Sequence, residues 1–163
     1  MEKAFLDMLN AHRGIIFKVC NLYCDDGEDK KDLFQEIVLQ LWKSFGSFRN
    51  ESLLSTWMYR VAFNTAISNF RKEIRKPERK SISVAEFQIP DMDEFSRETE
   101  NLGLLKNAIN QLTEIEKAVI MLYLDERTYE EISEIVGITK SNVGVRLSRI
   151  KTKLEAMIKK ESV

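Results

Sequence analysis

Apolar residues recur at helical spacing along most of the chain. In the first half, Leu33, Ile37 and Leu41 lie one turn apart and predict an amphipathic helix. Apolar positions before residue 24 predict one or two earlier helices, which the acidic, glycine-containing segment 25–29 should end. After a loop at residues 46–51, a long helix is expected over residues 52–76, with five residues turned inward: Leu54, Trp57, Met58, Val61 and Ala62.

The second half of the chain has sharper helix punctuation. Two capping boxes, each a threonine followed three residues later by a glutamate, predict helices over residues 114–124 and 129–136. The boxes are formed by Thr113, Glu116, Thr128 and Glu131. Gly137 suits a left-handed helix end, and a last helix should begin near Lys140. A helix, a tight glycine turn and a helix form the helix-turn-helix pattern, which helical hairpins without a DNA role also share.

Both prolines, Pro77 and Pro90, lie in a stretch with poor periodicity and clustered charges. This stretch, residues 77–99, is predicted to be a flexible acidic linker. The expected fold is therefore all-α, with two small helical domains: a helical bundle at residues 1–76 and a helix-turn-helix domain at residues 100–163.

Composition excludes several classes of protein. Two cysteines among 163 residues are too few for a disulfide scaffold. Together with the single histidine they are also too few to ligate zinc, so we expect no metal and no cofactor. The first residues carry no apolar signal core, and the longest apolar run is too short for a bilayer. We therefore expect a cytoplasmic protein with no membrane insertion.

The formal net charge of −1 conceals a segregation of charges. Residues 66–80 hold six basic side chains against two acidic ones, and residues 140–160 hold seven against one. Acidic side chains dominate residues 25–36 and 86–100, by six to two and six to one. A basic end on both domains favours nucleic-acid binding over an ordinary solvated face. We also expect the acidic linker to shield the basic faces of the free protein.

The last helix can be divided into faces at about 100° per residue. Opposite its apolar stripe lies a ridge of small, uncharged residues: Ser141, Val145, Ser148 and Thr152. Basic and polar residues flank this ridge, with Lys151 and Gly144 on one side and Asn142, Arg146, Arg149 and Lys153 on the other. The pattern fits a helix in the major groove that reads DNA shape and backbone more than base hydrogen bonds.

The long helix of the first domain interleaves aromatic and basic residues. Trp57, Tyr59, Phe63 and Phe70 alternate with Arg60, Arg71 and Lys72. Aromatic rings beside basic side chains suit stacking on single-stranded bases. The alternative is that the aromatic residues belong to the core.

In order along the chain, these motifs resemble the extracytoplasmic-function (ECF) group of bacterial sigma factors. Residues 32–42 resemble the helix of that group that binds core RNA polymerase. Residues 48–52 and 56–64 resemble its promoter-melting segment, and residues 112–122, 128–132 and 142–147 resemble its C-terminal helix-turn-helix. The resemblance covers nearly the whole chain.

The resemblance implies a transcription initiation factor that is not an enzyme. Such a protein binds core RNA polymerase through its β and β′ subunits, directs it to promoter DNA, and is regulated by a separate anti-sigma factor, with no small-molecule substrate. A base flipped out of the minus-ten element would sit in a pocket formed by the loop at residues 48–52 and Asn64, whose carboxamide both donates and accepts hydrogen bonds.

The resemblance also assigns residues to three surfaces. Core polymerase would be bound by Asp32, Leu33, Gln35, Glu36, Leu39 and Trp42. The minus-ten element would be bound by Phe48, Arg49, Asn50, Glu51, Ser52, Trp57, Arg60, Asn64, Arg71 and Lys72. The minus-thirty-five duplex would be bound by Lys140, Ser141, Asn142, Val145, Arg146, Ser148, Arg149 and Lys153.

Two other classes of protein compete with this interpretation. A helix-turn-helix regulator that binds operators as a dimer would share the second domain, but it leaves the motifs at residues 32–42 and 48–64 unexplained. An enzyme with a DNA-binding tail would need a clustered site, and the sequence has no metal-ligand cluster, phosphate-binding glycine loop or nucleophile beside a base.

Overall fold

The computed structural model describes residues 1–75 and 100–161, with side chains from 1–72 and 103–161. Within these ranges the chain forms eight α-helices and no strand, which confirms the all-α prediction. The chain divides into two compact units, Met1–Gln88 and Ile89–Val163, called unit 1 and unit 2 below. The predicted linker at residues 77–99 lies outside the described residues.

Unit 1 contains four helices: α1 (Glu2–Ala11), α2 (Arg13–Tyr23), α3 (Gly27–Phe45) and α4 (Leu54–Arg75). Two helices precede the acidic segment, as the sequence allowed. The prediction that residues 25–29 separate the helices is only partly right, because α3 already begins at Gly27. Asp26 caps this start by accepting a hydrogen bond from the Glu28 N–H at 3.3 Å, and the acidic first turn suits the positive end of the helix dipole.

The core of unit 1 forms where α2, α3 and α4 pack against one another. Its most deeply buried side chains are Ile16, Val19, Ile37, Leu41, Met58, Tyr59, Ala62 and Phe63. The prediction of which residues of α4 face the core was therefore partly wrong. Met58 and Ala62 are buried as expected, but Leu54, Trp57 and Val61 are only half-buried.

Unit 2 contains α5 (Glu100–Asn110), α6 (Glu114–Leu124), α7 (Tyr129–Val136) and α8 (Lys140–Glu161). Both predicted capping boxes form, with each threonine hydroxyl accepting from the glutamate N–H and each glutamate side chain accepting from the threonine N–H. Gly137 ends α7 with a φ of 81°, the left-handed conformation predicted for it. The bounds of α6 and α7 match the sequence prediction.

Helix α8 is the centre of unit 2, because α5, α6 and α7 all pack against it. The predicted apolar stripe of α8 is buried and consists of Val143, Leu147, Ile150 and Leu154. Thr139 starts the helix by accepting a hydrogen bond from the Asn142 N–H at 3.2 Å. Burying one stripe fixes which side of α8 faces the solvent.

Candidate functional site

The predicted polymerase-binding residues lie along one helix, α3, but do not all reach its surface. Asp32, Leu39 and Trp42 are exposed, and the two apolar residues among them keep 43% and 40% of their accessible surface. Gln35 and Glu36 are half-buried. Leu33 is 5% exposed and belongs to the core of unit 1, which corrects its assignment to a docking surface.

The position of Trp42 depends on α1. The buried ring of Phe5 meets Trp42 edge-on, with ring centroids 5.0 Å apart and an interplanar angle of 70°. Phe5 makes a second edge contact, with Phe45, at 5.4 Å. Helical periodicity could not reveal this support, because Phe5 and Trp42 lie far apart in the sequence.

The loop between α3 and α4 carries the first part of the predicted minus-ten surface. Arg49, Asn50 and Glu51 are exposed, whereas Phe48 and Ser52 are half-buried. Asn50 adopts a φ of 58°, a left-handed conformation that asparagine tolerates better than most residues. The Phe48 ring lies against Trp57 at 4.7 Å between centroids, so an aromatic pair joins the loop to α4.

Helix α4 presents polar residues beside that aromatic pair. Arg60, Asn64, Arg71 and Lys72 are all exposed and recur at helical spacing. Tyr59 and Phe63 are instead buried, 0% and 1% exposed, with their rings stacked at 6.0 Å. The prediction that these two rings stack on bases is therefore wrong, and the core alternative holds for them.

Helix α8 exposes the predicted ridge in full. Ser141, Val145, Ser148 and Thr152 all face solvent, and Val145 keeps 47% of its accessible surface. Two of the predicted flanking residues, Gly144 and Arg146, are half-buried. Lys140, at the start of the helix, is exposed, and so are the other flanking residues: Asn142, Arg149, Lys151 and Lys153. An exposed small-residue ridge opposite a buried stripe is the arrangement that a groove-binding helix needs.

One predicted DNA-binding lysine is already paired within the protein. The Lys153 Nζ donates to Glu116 Oε2 at 2.8 Å, and the Glu116 Oε1 accepts from the Thr113 N–H at 3.0 Å. Partial burial alone raises the pKa of Glu116, but hydrogen bonds from Lys153 and Thr113 outweigh it and hold the pKa below its usual value. The capping glutamate of α6 therefore also fixes a lysine of α8.

The two cysteines do not form a reactive or metal-binding pair. Burial, with a smaller contribution from Cys24, raises the pKa of the Cys20 thiol to about 12, so that thiol stays protonated at neutral pH. Across residues 1–75 and 100–161, no cluster of histidine, cysteine or acidic side chains could hold a metal ion. Within the same ranges, no helix has the length and apolar character needed to cross a membrane.

The fold and these surfaces define a two-part, helical DNA-binding protein that joins an aromatic–basic bundle to a helix-turn-helix. Residues 8–76 match the family described as Sigma-70 region 2, and residues 102–154 match that described as Sigma-70, region 4. Together the matches span most of the chain. The chain therefore belongs to the sigma-70 family and is an ECF sigma factor, a transcription initiation factor. These family matches do not favour the alternative of a regulator that binds operators as a dimer.

Individual relatives agree with this assignment. The chain is 28% identical to the ECF RNA polymerase sigma factor SigW of Bacillus subtilis, over 91% of this chain and 85% of SigW. It is 26% identical to the ECF RNA polymerase sigma-E factor of Haemophilus influenzae, over 96% of this chain and 88% of that protein.

Two solved structures have folds similar to that of this chain. The sigma factor RpoE from Bartonella quintana, solved with the anti-sigma factor NepR, has a TM-score of 0.66 and 21% identity, covering 97% of this chain and 96% of that one. CnrH, solved with the cytosolic domain of CnrY, has a TM-score of 0.68 and 16% identity, covering 98% and 90%. Both likenesses concern the fold.

Proposed function

We propose that this sigma factor uses three separate surfaces to start transcription. Helix α3 binds core RNA polymerase, the loop at residues 46–53 with α4 captures the minus-ten element, and α8 binds the minus-thirty-five duplex. The observation that carries the proposal is on α4. This helix buries Tyr59 and Phe63 but exposes Arg60 and Asn64, so its solvent face is polar and basic beside the Phe48–Trp57 pair.

The polymerase-binding surface combines acidic and apolar side chains. Asp32 is exposed at one end of this face, and Leu39 and Trp42 lie about two and three turns further on, with Gln35 and Glu36 after the first turn. Exposed large apolar residues beside carboxylates suit a partner helix that is basic and partly apolar. The coiled-coil clamp of the β′ subunit is that partner in this proposal.

The minus-ten surface is suited to an unpaired strand. Arg60, Arg71 and Lys72 supply charge for phosphates, and the half-buried Trp57 offers a ring edge for a base. Asn64 lies one turn after Arg60 and reads an extruded base through its carboxamide. Extruding a base costs a few kcal/mol, which the contacts in this pocket must offset.

The minus-thirty-five surface is suited to duplex DNA. The small ridge of α8 allows the helix to approach the base edges, while Asn142 and Arg149 contact the backbone on one side and Lys140 contacts it on the other. Serine side chains and a valine give little base discrimination, so we expect this surface to recognise mainly groove shape. Ridge positions therefore matter less for sequence preference than the deformability of the promoter.

Regulation and location follow from the same assignment. Of the two similar folds, RpoE was solved with the anti-sigma factor NepR bound, and CnrH was solved with the cytosolic domain of CnrY bound. We propose that a separate anti-sigma factor holds this chain inactive in the cytoplasm until core polymerase can bind it. The chain supplies promoter recognition, and the polymerase supplies the chemistry.

Reconstituted transcription with core polymerase and promoter fragments from the host tests the proposal. Asn64→Ala should abolish open-complex formation, measured by permanganate reactivity of the melted strand, while binding to the minus-thirty-five duplex stays unchanged. Asn10→Ala, which removes an exposed asparagine of α1, is the matched control and should melt the promoter normally.

Two results would contradict the proposal. Promoter melting that survives Asn64→Ala would remove that residue from the minus-ten pocket. Operator binding by a dimer of this chain, with no promoter-dependent initiation in the presence of core polymerase, would reject the three-surface mechanism as a whole.

A further inference from the structure

Two outward lysines of α8 are held by different groups of the neighbouring helix α6. Lys151 Nζ donates to the hydroxyl oxygen of Tyr123 at 3.0 Å and lies 4.3 Å from the centre of the same ring. Lys153 Nζ donates to a carboxylate oxygen of Glu116 at 2.8 Å. Both lysines are therefore oriented by α6, but only one of them is paired with an opposite charge.

The pairing of Lys153 removes most of its value for a phosphate. Its ammonium and the carboxylate of Glu116 together carry no net charge. Glu116 is 12% exposed in its side chain and also accepts a hydrogen bond from the Thr113 N–H, so it is held from two sides. A phosphate that took Lys153 from this pair would leave a fixed carboxylate facing the negatively charged backbone.

Lys151 keeps its charge while being held in place. A phenol hydroxyl is neutral at neutral pH, so its hydrogen bond orients the ammonium without cancelling it. The ammonium has three donor hydrogens, and one bond to Tyr123 leaves two for another acceptor. The hydrogen bond from Lys151 to Tyr123 raises the pKa of the lysine, which keeps it fully protonated. The side chain is exposed to solvent.

The position of Lys151 on α8 also differs from that of Lys153. It lies on the flank of the ridge that carries Gly144, opposite the flank with Arg146 and Arg149. On that flank, a Cβ at Gly144 would lie 3.6 Å from the Tyr129 ring of α7, so the first helix of the helix-turn-helix adjoins this side. In this motif the first helix crosses the DNA backbone.

We propose that Lys151, oriented by Tyr123, binds a DNA backbone phosphate, and that Lys153 serves the structure of unit 2 as the partner of Glu116. This inference rests on the proposed binding of the minus-thirty-five duplex by α8. It replaces the expected role of Lys153 and adds a phosphate contact on the second flank of the ridge. Tyr123 is a positioning residue, since it acts through Lys151.

The salt dependence of binding separates the two lysines. The full chain with core polymerase is titrated onto a short duplex that carries the minus-thirty-five element and ends upstream of the minus-ten element, over a range of KCl concentrations. Each phosphate contact contributes about 0.9 to the slope of log affinity against log salt. Lys151→Gln should lower that slope by about one contact and weaken binding, whereas Lys153→Gln should leave the slope unchanged.

Two further variants test the roles of the α6 residues. Glu116→Gln keeps a side chain that can complete the capping box but frees Lys153, so the slope should become steeper by about one contact. Tyr123→Phe keeps the ring and removes the hydroxyl, so affinity should fall while the slope stays unchanged. Thermal unfolding of each variant verifies that unit 2 is folded. A purely structural defect would not change the affinity while leaving the salt slope unchanged.

Failure of this inference can be distinguished from failure of the proposed function of α8. A slope reduced by Lys153→Gln, or unchanged by Lys151→Gln, would overturn the division of roles between the lysines. If the wild-type complex binds a duplex with a scrambled minus-thirty-five element equally well, the proposed function of α8 fails instead.

Discussion

At the scale of single residues, Glu126 occupies a backbone conformation that its side chain disfavours. It follows α6 with a φ of 61°. Its N–H donates to the Tyr123 carbonyl at 3.0 Å, and the Arg127 N–H donates to the Leu122 carbonyl at 3.0 Å. These two bonds form a Schellman motif, in which the left-handed position is most often glycine.

Replacing Glu126 by glycine should stabilise unit 2. Glycine adopts positive φ without the contact between Cβ and the backbone, although it loses more entropy on folding. We expect Glu126→Gly to raise the free energy of unfolding by about 0.5 kcal/mol, measured by urea denaturation. Gly137→Ala, at a φ of 81°, is the opposite control and should lower stability. A loss of stability in Glu126→Gly would show that its side chain contributes more than its strain costs.

Gly144 lies inside helix α8, where glycine lowers helix stability relative to alanine. A Cβ built there would meet the Tyr129 ring at 3.6 Å, an ordinary van der Waals distance. We therefore expect Gly144→Ala to raise the free energy of unfolding by about 1 kcal/mol through helix propensity alone, measured by thermal and urea unfolding. An unchanged or lower stability would mean that α8 cannot accommodate the methyl group against Tyr129.

At the scale of elements, the start of α6 depends on a carboxylate with two tasks. Glu116 completes a capping box with Thr113 and accepts a hydrogen bond from Lys153 of α8. Its pKa in the folded state lies below its ordinary value of 4.5. A carboxyl with a lowered folded pKa contributes stability above its unfolded pKa, and that stability is lost as the pH falls through the folded value.

Unit 2 should consequently lose stability in acid through Glu116. Between pH 7 and pH 3, the free energy of unfolding of the wild type should fall more steeply than that of Glu116→Gln, which has no carboxyl to protonate there. Chemical denaturation at a series of pH values measures the difference. Glu134→Gln, at an exposed position of α7, should keep the wild-type pH dependence. Parallel curves for Glu116→Gln and the wild type would contradict this linkage.

The elements differ in how far their sequence determines them. The bounds of α6 and α7 follow from capping boxes and Gly137, which act within four residues and can be read directly from the sequence. The face of α4 could not be read in this way. Phe63 is buried because Tyr23 of α2 meets its ring edge-on at 6.1 Å, and this contact depends on tertiary packing.

The functional surfaces show the same limit. The ridge of α8 was predictable because one buried stripe fixes the opposite side of a helix. The pairing of Lys153 with Glu116 spans 37 residues, and the support of Trp42 by Phe5 joins α3 to α1, so neither follows from local spacing. A face can be inferred from periodicity, but the partners of its charged side chains cannot.

At the scale of the whole molecule, the net charge of −1 is a sum of surfaces with different partners. The basic residues of α8 face solvent beside its ridge, and the acidic residues at the start of α3 lie on the proposed polymerase-binding side of unit 1. Residues 86–100 add six acidic side chains against one basic.

The acidic segment should weaken DNA binding by the free protein. Carboxylates on the same chain compete with phosphates for its basic surfaces, and the competition is strongest at low salt. We expect the triple variant Asp91→Asn, Asp93→Asn, Glu94→Gln to raise the affinity of the free chain for promoter duplex at low salt, measured by fluorescence anisotropy. The complex with core polymerase should bind with unchanged affinity, because we expect polymerase binding to relieve this competition.

A control of equal charge separates shielding by this segment from the change in net charge. Glu2→Gln, Asp7→Asn and Glu161→Gln together remove three exposed acidic side chains elsewhere in the chain. If both triple variants gain affinity equally, net charge alone accounts for the effect and no segment-specific shielding exists. If neither gains, the basic surfaces are already accessible in the free protein. A gain confined to the linker variant would show that the chain restrains its own DNA binding until polymerase engages it.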